Sequence, residues 1–397
     1  MWALNAVNFF MADVAGGLGP FLGVYLQGKD WTPAEIGLVM TIGGLAGMAV
    51  TAPLGALVDH THAKRSLIVI GAGAIVVASL VIFFVPGFAA VTATQVTTAI
   101  AGAAIGPAIA GVTLGLVGQA GFARQNGRNQ AFNHAGNVAA AALAGVLGYR
   151  FGFGAVFGVL AAMAAGSMIA VARIDPRLID YRAARGVTQD EGDGVSAWSV
   201  VATCKPLLVL ALTLTLFHLG NAAMLPLLGQ ALVAHGAGSP SAYTGATIFV
   251  AQVTMIPMAL LAARLADERG YWIIFLLALI ALPVRGVVAA TVTGPIGLIP
   301  VQILDGVGAG LLGVAVPGLV ARILDGTGHV NAGLGAVMTM QGVGASLSPA
   351  LAGFVAGKLG YSASFVVLGG IAACALLLWM LARPITANAC RPSLTSA

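Results

Sequence analysis

Charged side chains are scarce in this chain. Only 8% of its 397 residues are Asp, Glu, Lys or Arg, whereas 59% are hydrophobic by type. A soluble domain carries about 25% charged residues, so this composition excludes a cytosolic enzyme. The net charge of +5 is not gathered into one basic face, so we expect no nucleic-acid partner. The composition instead predicts an integral protein of the lipid bilayer.

Motifs for metals, cofactors and disulfides are also missing. The three cysteines, Cys204, Cys374 and Cys390, have no CxxC or metal-ligand spacing. His60 and His62 lie close together, but no cluster of carboxylates accompanies them. The sequence Gly308-Ala-Gly310-Leu-Leu-Gly313 spells GxGxxG, but no strand precedes it, so it indicates helix packing through small residues. We therefore expect no metal, no cofactor and no enzymatic activity.

Long apolar runs are present in number. A helix needs about 20 apolar residues to cross the hydrocarbon core. The first run is expected to be a span and not a signal peptide, because no Lys or Arg precedes Lys29. The sequence predicts twelve transmembrane helices, named spans one to twelve, at residues 2–26, 34–58, 66–85, 90–117, 130–150, 154–173, 207–233, 242–264, 272–291, 295–322, 332–357 and 362–383.

One connection differs from the others in composition. Between Arg173 and Lys205 the chain carries five basic and five acidic residues, with a Glu191-Gly-Asp-Gly turn. This pattern predicts a solvated linker. The expected organisation is an N-terminal six-helix half at 1–173, a cytoplasmic linker at 174–206 and a C-terminal six-helix half at 207–397.

The basic residues predict the orientation. With the N-terminus inside, fourteen Lys and Arg residues face the cytoplasm, Lys29, Arg150 and Lys358 face outside, and Arg285 falls within span nine. Because cytoplasmic loops are enriched in Lys and Arg, both termini and the linker are expected in the cytoplasm. The net positive charge is then explained by the orientation of the protein in a cytoplasmic (inner) membrane.

The two halves repeat each other. Ala142-Leu-Ala-Gly-Val-Leu in span five matches Ala350-Leu-Ala-Gly-Phe-Val in span eleven at an offset of 208 residues, and Asp59 matches Asp267 at the same offset. Gln95 and Gln302 match at 207, and Pro20 and Pro226 at 206. The offset predicts duplicated six-helix units, a design that places its site between the halves at mid-membrane.

The loop after span two carries a recognisable signature. It reads Gly55-Ala-Leu-Val-Asp59-His-Thr-His-Ala-Lys64-Arg65, and a degraded copy after span eight keeps Asp267, Arg269 and Gly270. This pattern resembles the GxxxD…[RK][RK] signature of the major facilitator superfamily, with His62 where a glycine is usual. The resemblance covers essentially the whole chain. It implies an all-α fold of two pseudo-symmetric halves, a small-molecule substrate, alternating access and a monomer, with these residues as a conformational latch.

Two departures bear on the direction of transport. Proton-coupled drug exporters of this family carry an arginine in span four and a Gly-Pro signature in span five. Here glutamine, as Gln95 and Gln302, replaces that arginine in both halves, and proline appears only in span eleven, as Pro349. The resemblance leans toward proton-coupled efflux and leaves import open.

Ionisable residues within the spans are the candidates for coupling. A charge at the bilayer centre costs about 2.5–3.5 kcal/mol on the insertion scale, so such residues pair or serve function. Asp13, His218 and Asp305 are predicted to take part in proton or ion coupling. Arg285 and Asp305 lie on spans joined at the outer side and are expected to form an ion pair. Asp13 has no evident basic partner and is the expected proton carrier.

Polar residues on the spans are the candidates for the substrate cavity. Gln130, Asn133, His134 and Asn137 share one face of span five by their i, i+3, i+4 spacing, although they could also belong to its cytoplasmic end. Further candidates for the cavity lining are Asn5, Asn8, Gln95, Asn221, Gln252, Gln302 and Gln341.

Three alternatives stay open at the level of sequence. A uniporter would need no coupling ion. A membrane sensor with the same fold would bind a solute without moving it. A divalent-metal exporter would use Asp13, His134 and His218, although carboxylates are scarce elsewhere in the spans.

Overall fold

The computed structural model describes residues 1–181, 203–234, 236, 239–292, 294, 297–325 and 330–391. Helices dominate this part of the chain and no strand occurs in it, which confirms the predicted all-α class. Residues 182–202, most of the predicted linker, lie outside the described residues. Ten helices supply most of the spans: Pro33–His60, Lys64–Phe84, Phe88–Phe151, Phe153–Ala172, Lys205–Asn221, Pro240–Glu268, Tyr271–Thr291, Leu298–Ile323, Val330–Leu359 and Tyr361–Leu381.

Nine helical segments within the described residues are long and apolar enough to cross a membrane. The three remaining predicted spans have identifiable helices but do not meet this measure. Span one is divided into Trp2–Val14 and Pro20–Gln27, and span eleven is Val330–Leu359. Span five shares the long helix Phe88–Phe151 with span four, and its N-terminal part carries Arg124 and Arg128. All twelve predicted spans are thus helical.

Spans one and seven are broken helices, whereas the sequence predicts continuous ones. Span one is interrupted at residues 15–19, where Gly17 and Gly19 adopt φ angles of 59° and 47°. Span seven is interrupted between Asn221 and Met224. The two breaks lie about one repeat offset apart. Broken helices at matching positions of two repeats are typical of binding sites in secondary transporters.

The boundary between spans four and five also differs from the prediction. Helical geometry continues through residues 119–129, which were expected to form a loop, and only Gly118 departs from it, with φ 65° and ψ 177°. Few side chains other than hydrogen tolerate a positive φ, so glycine permits this sharp kink. Span five therefore begins about ten residues earlier than expected.

The chain folds into two compact units. Unit 1 comprises Met1–Trp31, Leu38–Asp190 and Gly238–Phe249, so far as these are described, and within it span one packs on spans five and six. Unit 2 comprises Thr32–Gly37, Glu191–Ala237 and Val250–Ala397, with span seven packed on spans eleven and twelve. Phe275 and Trp379 stack at the core of unit 2, with ring centroids 4.6 Å apart. The proposed division at 1–173, 174–206 and 207–397 stays a prediction.

Matching backbone geometry recurs at the repeat offset. Gly152 and Gly360, which precede spans six and twelve, both adopt a positive φ, 78° and 87°. A Cβ atom on Gly136 of span five would overlap the Phe9 carbonyl oxygen of span one. A Cβ on Gly344 of span eleven would likewise overlap the Thr215 carbonyl of span seven. Each unit therefore brings two helix backbones into direct contact at an equivalent glycine.

Candidate functional site

Asp13 lies at the break in span one. It is the penultimate residue of the helix Trp2–Val14 and is half-buried. Its carboxylate makes no hydrogen bond and no ion pair with any described residue. The surrounding helix is held closely, because Gly136 contacts the Phe9 backbone and Gly166 contacts the Phe10 ring. A carboxylate in such a setting has no local counter-charge to keep it ionised.

A chain of amide hydrogen bonds crosses unit 1. Gln125 Nε2 donates to Asn5 Oδ1 and to Asn129 Oδ1, at 2.9 Å each. Asn129 Nδ2 then donates to Thr113 Oγ1 at 2.9 Å. This network joins spans one, four and five, and the sequence prediction contains only Asn5 of its members.

A four-residue periodicity in the sequence contains the missing network residues. Gln125, Asn129, Asn133 and Asn137 recur every fourth residue and so share one stripe of a helix. Asn137 Nδ2 donates to Asn133 Oδ1 at 3.2 Å, which continues the stripe. The sequence prediction includes Asn133 and Asn137 but misses Gln125 and Asn129, because it places residues 118–129 in a loop.

The other cavity candidates in unit 1 differ in exposure. Gln130 is exposed, whereas Gln95 and His134 are half-buried. Asn8 is buried, and its Nδ2 donates to the Leu4 carbonyl one turn earlier at 2.9 Å. This bond satisfies one donor of Asn8 inside its own helix, so the residue has less capacity left for a substrate. Its predicted role in the cavity stays a prediction, like that of the others.

Arg285 is the centre of a polar cluster in unit 2. Its Nη1 atom lies 2.7 Å from Asp305 Oδ1 and 2.6 Å from Asn221 Oδ1. The side chain of Arg285 is 1% exposed and that of Asp305 is 15% exposed. Span nine thus contributes the guanidinium, span ten the carboxylate and span seven the amide, next to the break in that span. The structure brings together the two charges whose pairing the sequence predicted.

Several polar atoms of this cluster are buried without a partner among the described residues. They include Nε and Nη2 of Arg285 and both amide atoms of Gln302, which is fully buried. Gln302 precedes Asp305 by one helical turn. Nearly all buried polar groups in native proteins are hydrogen-bonded, so this deficit needs an explanation.

The remaining candidates in unit 2 are less enclosed. His218 is half-buried, and its ring lies edge-on to Phe217 with centroids 5.3 Å apart. Gln252 and Gln341 are half-buried as well. No group of three or more His, Cys, Asp or Glu residues that could hold a metal ion occurs in the described residues.

The signature loop after span two anchors helix ends in unit 1. Lys64 is fully buried, and its Nζ donates to the Val58 carbonyl. Arg65 donates to the carbonyls of Val171 and Ala172 at 3.1–3.3 Å, which places its charge at the carboxyl end of span six. A cation there interacts favourably with the helix dipole. The side chain of Asp59 lies outside the described residues, and Gly55 has open space around its Cα.

The second copy of the signature is open to solvent. Asp267 and Arg269 are both exposed at the end of span eight, and Gly270 turns the chain with a φ of 77°. In the first copy, His62 occupies the matching position without a positive φ. The two turns therefore differ in backbone conformation, in line with the substitution of the usual glycine.

Comparison with known proteins gives consistent matches across the chain. The family profile of the Major Facilitator Superfamily matches residues 1–332 and 210–393. Uncharacterized MFS-type transporters from two strains of Mycobacterium tuberculosis, CDC 1551 and H37Rv, are each 42% identical over 390 residues, which is 97% of this chain and 93% of theirs.

Solved structures share the fold at low sequence identity. The nucleoside transporter NupG aligns with a TM-score of 0.77 at 15% identity, over 96% of this chain and 98% of that one. A bacterial homolog of the human lysosomal transporter Spinster, inward-facing and unoccupied, aligns with a TM-score of 0.75 at 13% identity, over 99% and 98%. At these identities the likeness concerns the fold alone.

Proposed function

Because the chain belongs to the major facilitator superfamily, we propose that it is a proton-coupled secondary transporter for a small organic solute. It is a multi-pass membrane protein whose relatives are transporters. The sequence contains no nucleotide-binding loop, so uphill transport would draw on an ion gradient.

The proposal of proton coupling rests on the carboxylate of Asp13, which has no hydrogen-bond or ion-pair partner among the described residues. Asp305 forms an ion pair with the buried guanidinium of Arg285. Asp13 has no such partner among the described residues and lies at a helix break, where local rearrangement costs little regular structure. Of the two carboxylates, Asp13 is therefore the better suited to bind and release a proton in each cycle. Asp305 and His218 are secondary candidates.

Alternating access supplies the mechanism. The two halves rock about a midplane site, and the signature residues Asp59, Lys64 and Arg65 hold one access state closed. The contacts of Arg65 with the end of span six support this role, because they connect the loop to a neighbouring helix end. Asp267 and Arg269 would contribute less, since both are exposed.

The proposed direction is efflux, with both termini and the linker in the cytoplasm. The excess of basic residues on the assigned inner side supports this orientation. The relatives named above leave the direction and the solute open.

Flux in proteoliposomes tests the proposal. Purified protein is first screened for solutes that raise its unfolding midpoint, and those solutes are then followed across reconstituted membranes. Transport that accelerates when a pH gradient is imposed, and that stops with a protonophore, is expected. Binding without flux would identify a sensor, and flux indifferent to the gradient would identify a uniporter.

A further inference from the structure

We propose that the Arg285 cluster in unit 2 binds the carboxylate group of the transported solute. The inference rests on the proposed transport function and adds the substrate class to it. The cluster consists of Asn221, Arg285 and Asp305, on spans seven, nine and ten. Gln302 lies one helical turn before Asp305 in span ten.

The hydrogen-bonding capacity of Arg285 is only partly used. A guanidinium has five N–H donors, two of which lie on Nη1. Asn221 Oδ1 accepts a hydrogen bond from Nη1 at 2.6 Å, and the Asp305 carboxylate forms an ion pair with the same nitrogen at 2.7 Å. The Nε atom and the Nη2 atom have no partner among the described residues, although the side chain is 99% buried. The edge of the guanidinium formed by Nε and Nη2 therefore has two parallel N–H donors with no acceptor among the described residues.

That edge has the geometry of a carboxylate receptor. The N–H groups on Nε and Nη2 point in nearly the same direction, and a planar carboxylate accepts both at once. Gln302 adds an amide group whose nitrogen and oxygen are both buried and unpartnered. The unfilled capacity is thus mostly donor capacity, and an acceptor-rich ligand fits it better than an amine or a primary amide does.

The lack of a partner for these donors within the described part of the chain strengthens the inference. A buried donor without a partner destabilises the fold, and more so when it belongs to a charged group. Hydrophobic residues at these positions would avoid that cost. Each buried polar group without a partner needs an explanation, and here two donors of one guanidinium lie side by side on the same edge. Asp305 is 15% exposed, so the cluster is not wholly enclosed.

Among anions, the charge of the cluster favours a monoanion over a dianion. Arg285 and Asp305 neutralise each other, so a bound anion leaves one net negative charge in a buried setting. A monocarboxylate keeps that charge to one, whereas phosphate adds up to two and presents a tetrahedral group to a planar edge. Solutes with one carboxylate are therefore expected to bind best.

Matched acids and amides provide the test. The full-length protein in detergent is titrated with benzoate, nicotinate and lactate, each beside its primary amide, and with inorganic phosphate, while its unfolding midpoint is followed. At least one acid is expected to raise the midpoint by several degrees, with its amide at least tenfold weaker. Equal effects of acid and amide, stabilisation by phosphate alone, or no effect of any acid would overturn the proposal.

Three variants locate the binding. Gln302→Met removes two unpartnered polar atoms, so it is expected to stabilise the ligand-free protein yet weaken acid binding about tenfold. The double variant Arg285→Gln/Asp305→Asn keeps the cluster neutral for folding and is expected to lose acid binding. Ser167→Ala, which removes a buried unpartnered hydroxyl in unit 1, is the control and is expected to bind normally. Full acid affinity in the double variant would place the site elsewhere.

The outcome separates this inference from the proposed function. Acid binding without flux in proteoliposomes would leave the carboxylate site standing and refute transport. Proton-driven flux of a solute that lacks a carboxylate, with no acid binding, would do the reverse.

Discussion

Asp13 and Asp305 are similar residues whose different contacts indicate different roles. Both are acids within apolar spans, but Asp305 lies 2.7 Å from a buried guanidinium and Asp13 has no partner among the described residues. Removing one member of a buried pair leaves the other charge uncompensated. Asp305 is thus expected to matter first for stability, and Asp13 for coupling.

A set of substitutions tests this division. Asp305→Asn is expected to lower stability by about 3 kcal/mol, because it strands the buried charge of Arg285. The double variant Arg285→Gln/Asp305→Asn should recover most of that loss. The measurement is the unfolding midpoint in detergent.

The exposed pair Arg264 and Glu268 supplies the control. Its atoms lie 2.6 Å apart, yet the side chains are 76% and 50% exposed, so Glu268→Gln is expected to change nothing measurable. A double variant as unstable as Asp305→Asn would show that the pair does not stabilise the fold.

Part of the site could be predicted at the residue scale. The cost of an isolated charge in the membrane, together with the short connection between spans nine and ten, was enough to predict the meeting of Arg285 and Asp305. The third member of the contact, Asn221, appeared only as a separate lining residue, because its approach depends on the packing of span seven. The sequence cannot show that the amide atoms of Gln302 lack a hydrogen-bond partner among the described residues, because this depends on which side chains the fold places around them.

At the scale of elements, hydropathy located the helices but not their interruptions. All twelve predicted runs are helical, because backbone groups in a bilayer must bond within their own segment. The breaks in spans one and seven occur within apolar sequence, where hydropathy does not change. Glycines at positive φ mark the first break, but a glycine alone does not reveal its backbone angle. The start of span five is also placed too late by the sequence, because the polar residues after Gly118 are helical.

Glycine contacts between helices give a prediction at this scale. Gly136→Ala and Gly344→Ala are each expected to lower the unfolding midpoint by several degrees, since the new methyl group would overlap a neighbouring carbonyl and overpacking costs about 1–3 kcal/mol. Gly335→Ala, in the same helix as Gly344, meets nothing within 4 Å and serves as the control. Equal stability of all three variants would contradict the close contacts.

The segment after span twelve packs back onto unit 2. The Tyr271 amide donates to the Cys390 carbonyl at 2.9 Å, and Arg322 donates to the Arg391 carbonyl. Arg322 also lies over the Tyr271 ring, 4.8 Å from its centroid. Cys390 is buried as a result, and burial raises the pKa of its thiol to about 12.

Alkylation of Cys390 reports whether this segment is docked. In a Cys204→Ser/Cys374→Ser background, Arg322→Ala is expected to increase the maleimide reaction rate several-fold. Docking holds the thiol protonated above its ordinary pKa of 9.0, so docking should weaken as pH rises from about 9 towards 12. A rate that is unchanged by Arg322→Ala would show that the contact with Arg391 does not hold the segment.

At the scale of the whole molecule, the duplication predicted from sequence has structural counterparts. Gly152 and Gly360 share a rare backbone conformation at the repeat offset, and Gly136 and Gly344 make equivalent contacts. A resemblance based on two short signatures was thereby enough to predict the family, which the comparisons confirm. The solute and the direction were beyond the sequence, because members of one fold bind different solutes through a few local side chains.

Membrane orientation is the prediction at this scale. With the fourteen cytoplasmic basic residues as assigned, a single cysteine placed in the 174–206 linker should be protected from an impermeant maleimide in intact cells. A single cysteine at Ser239 should react. Labelling of the linker from outside would reverse the assigned topology.

Proton-driven transport by an Asp13→Asn variant tests the central claim most directly. Wild-type and variant proteins are reconstituted, and one stabilising solute is followed both under an imposed pH gradient and in counterflow exchange at equal pH. Asparagine keeps the size of the side chain but cannot carry a proton, so gradient-driven accumulation is expected to vanish while exchange partly survives. Accumulation by the variant at the wild-type level would contradict the role of Asp13 as the proton carrier.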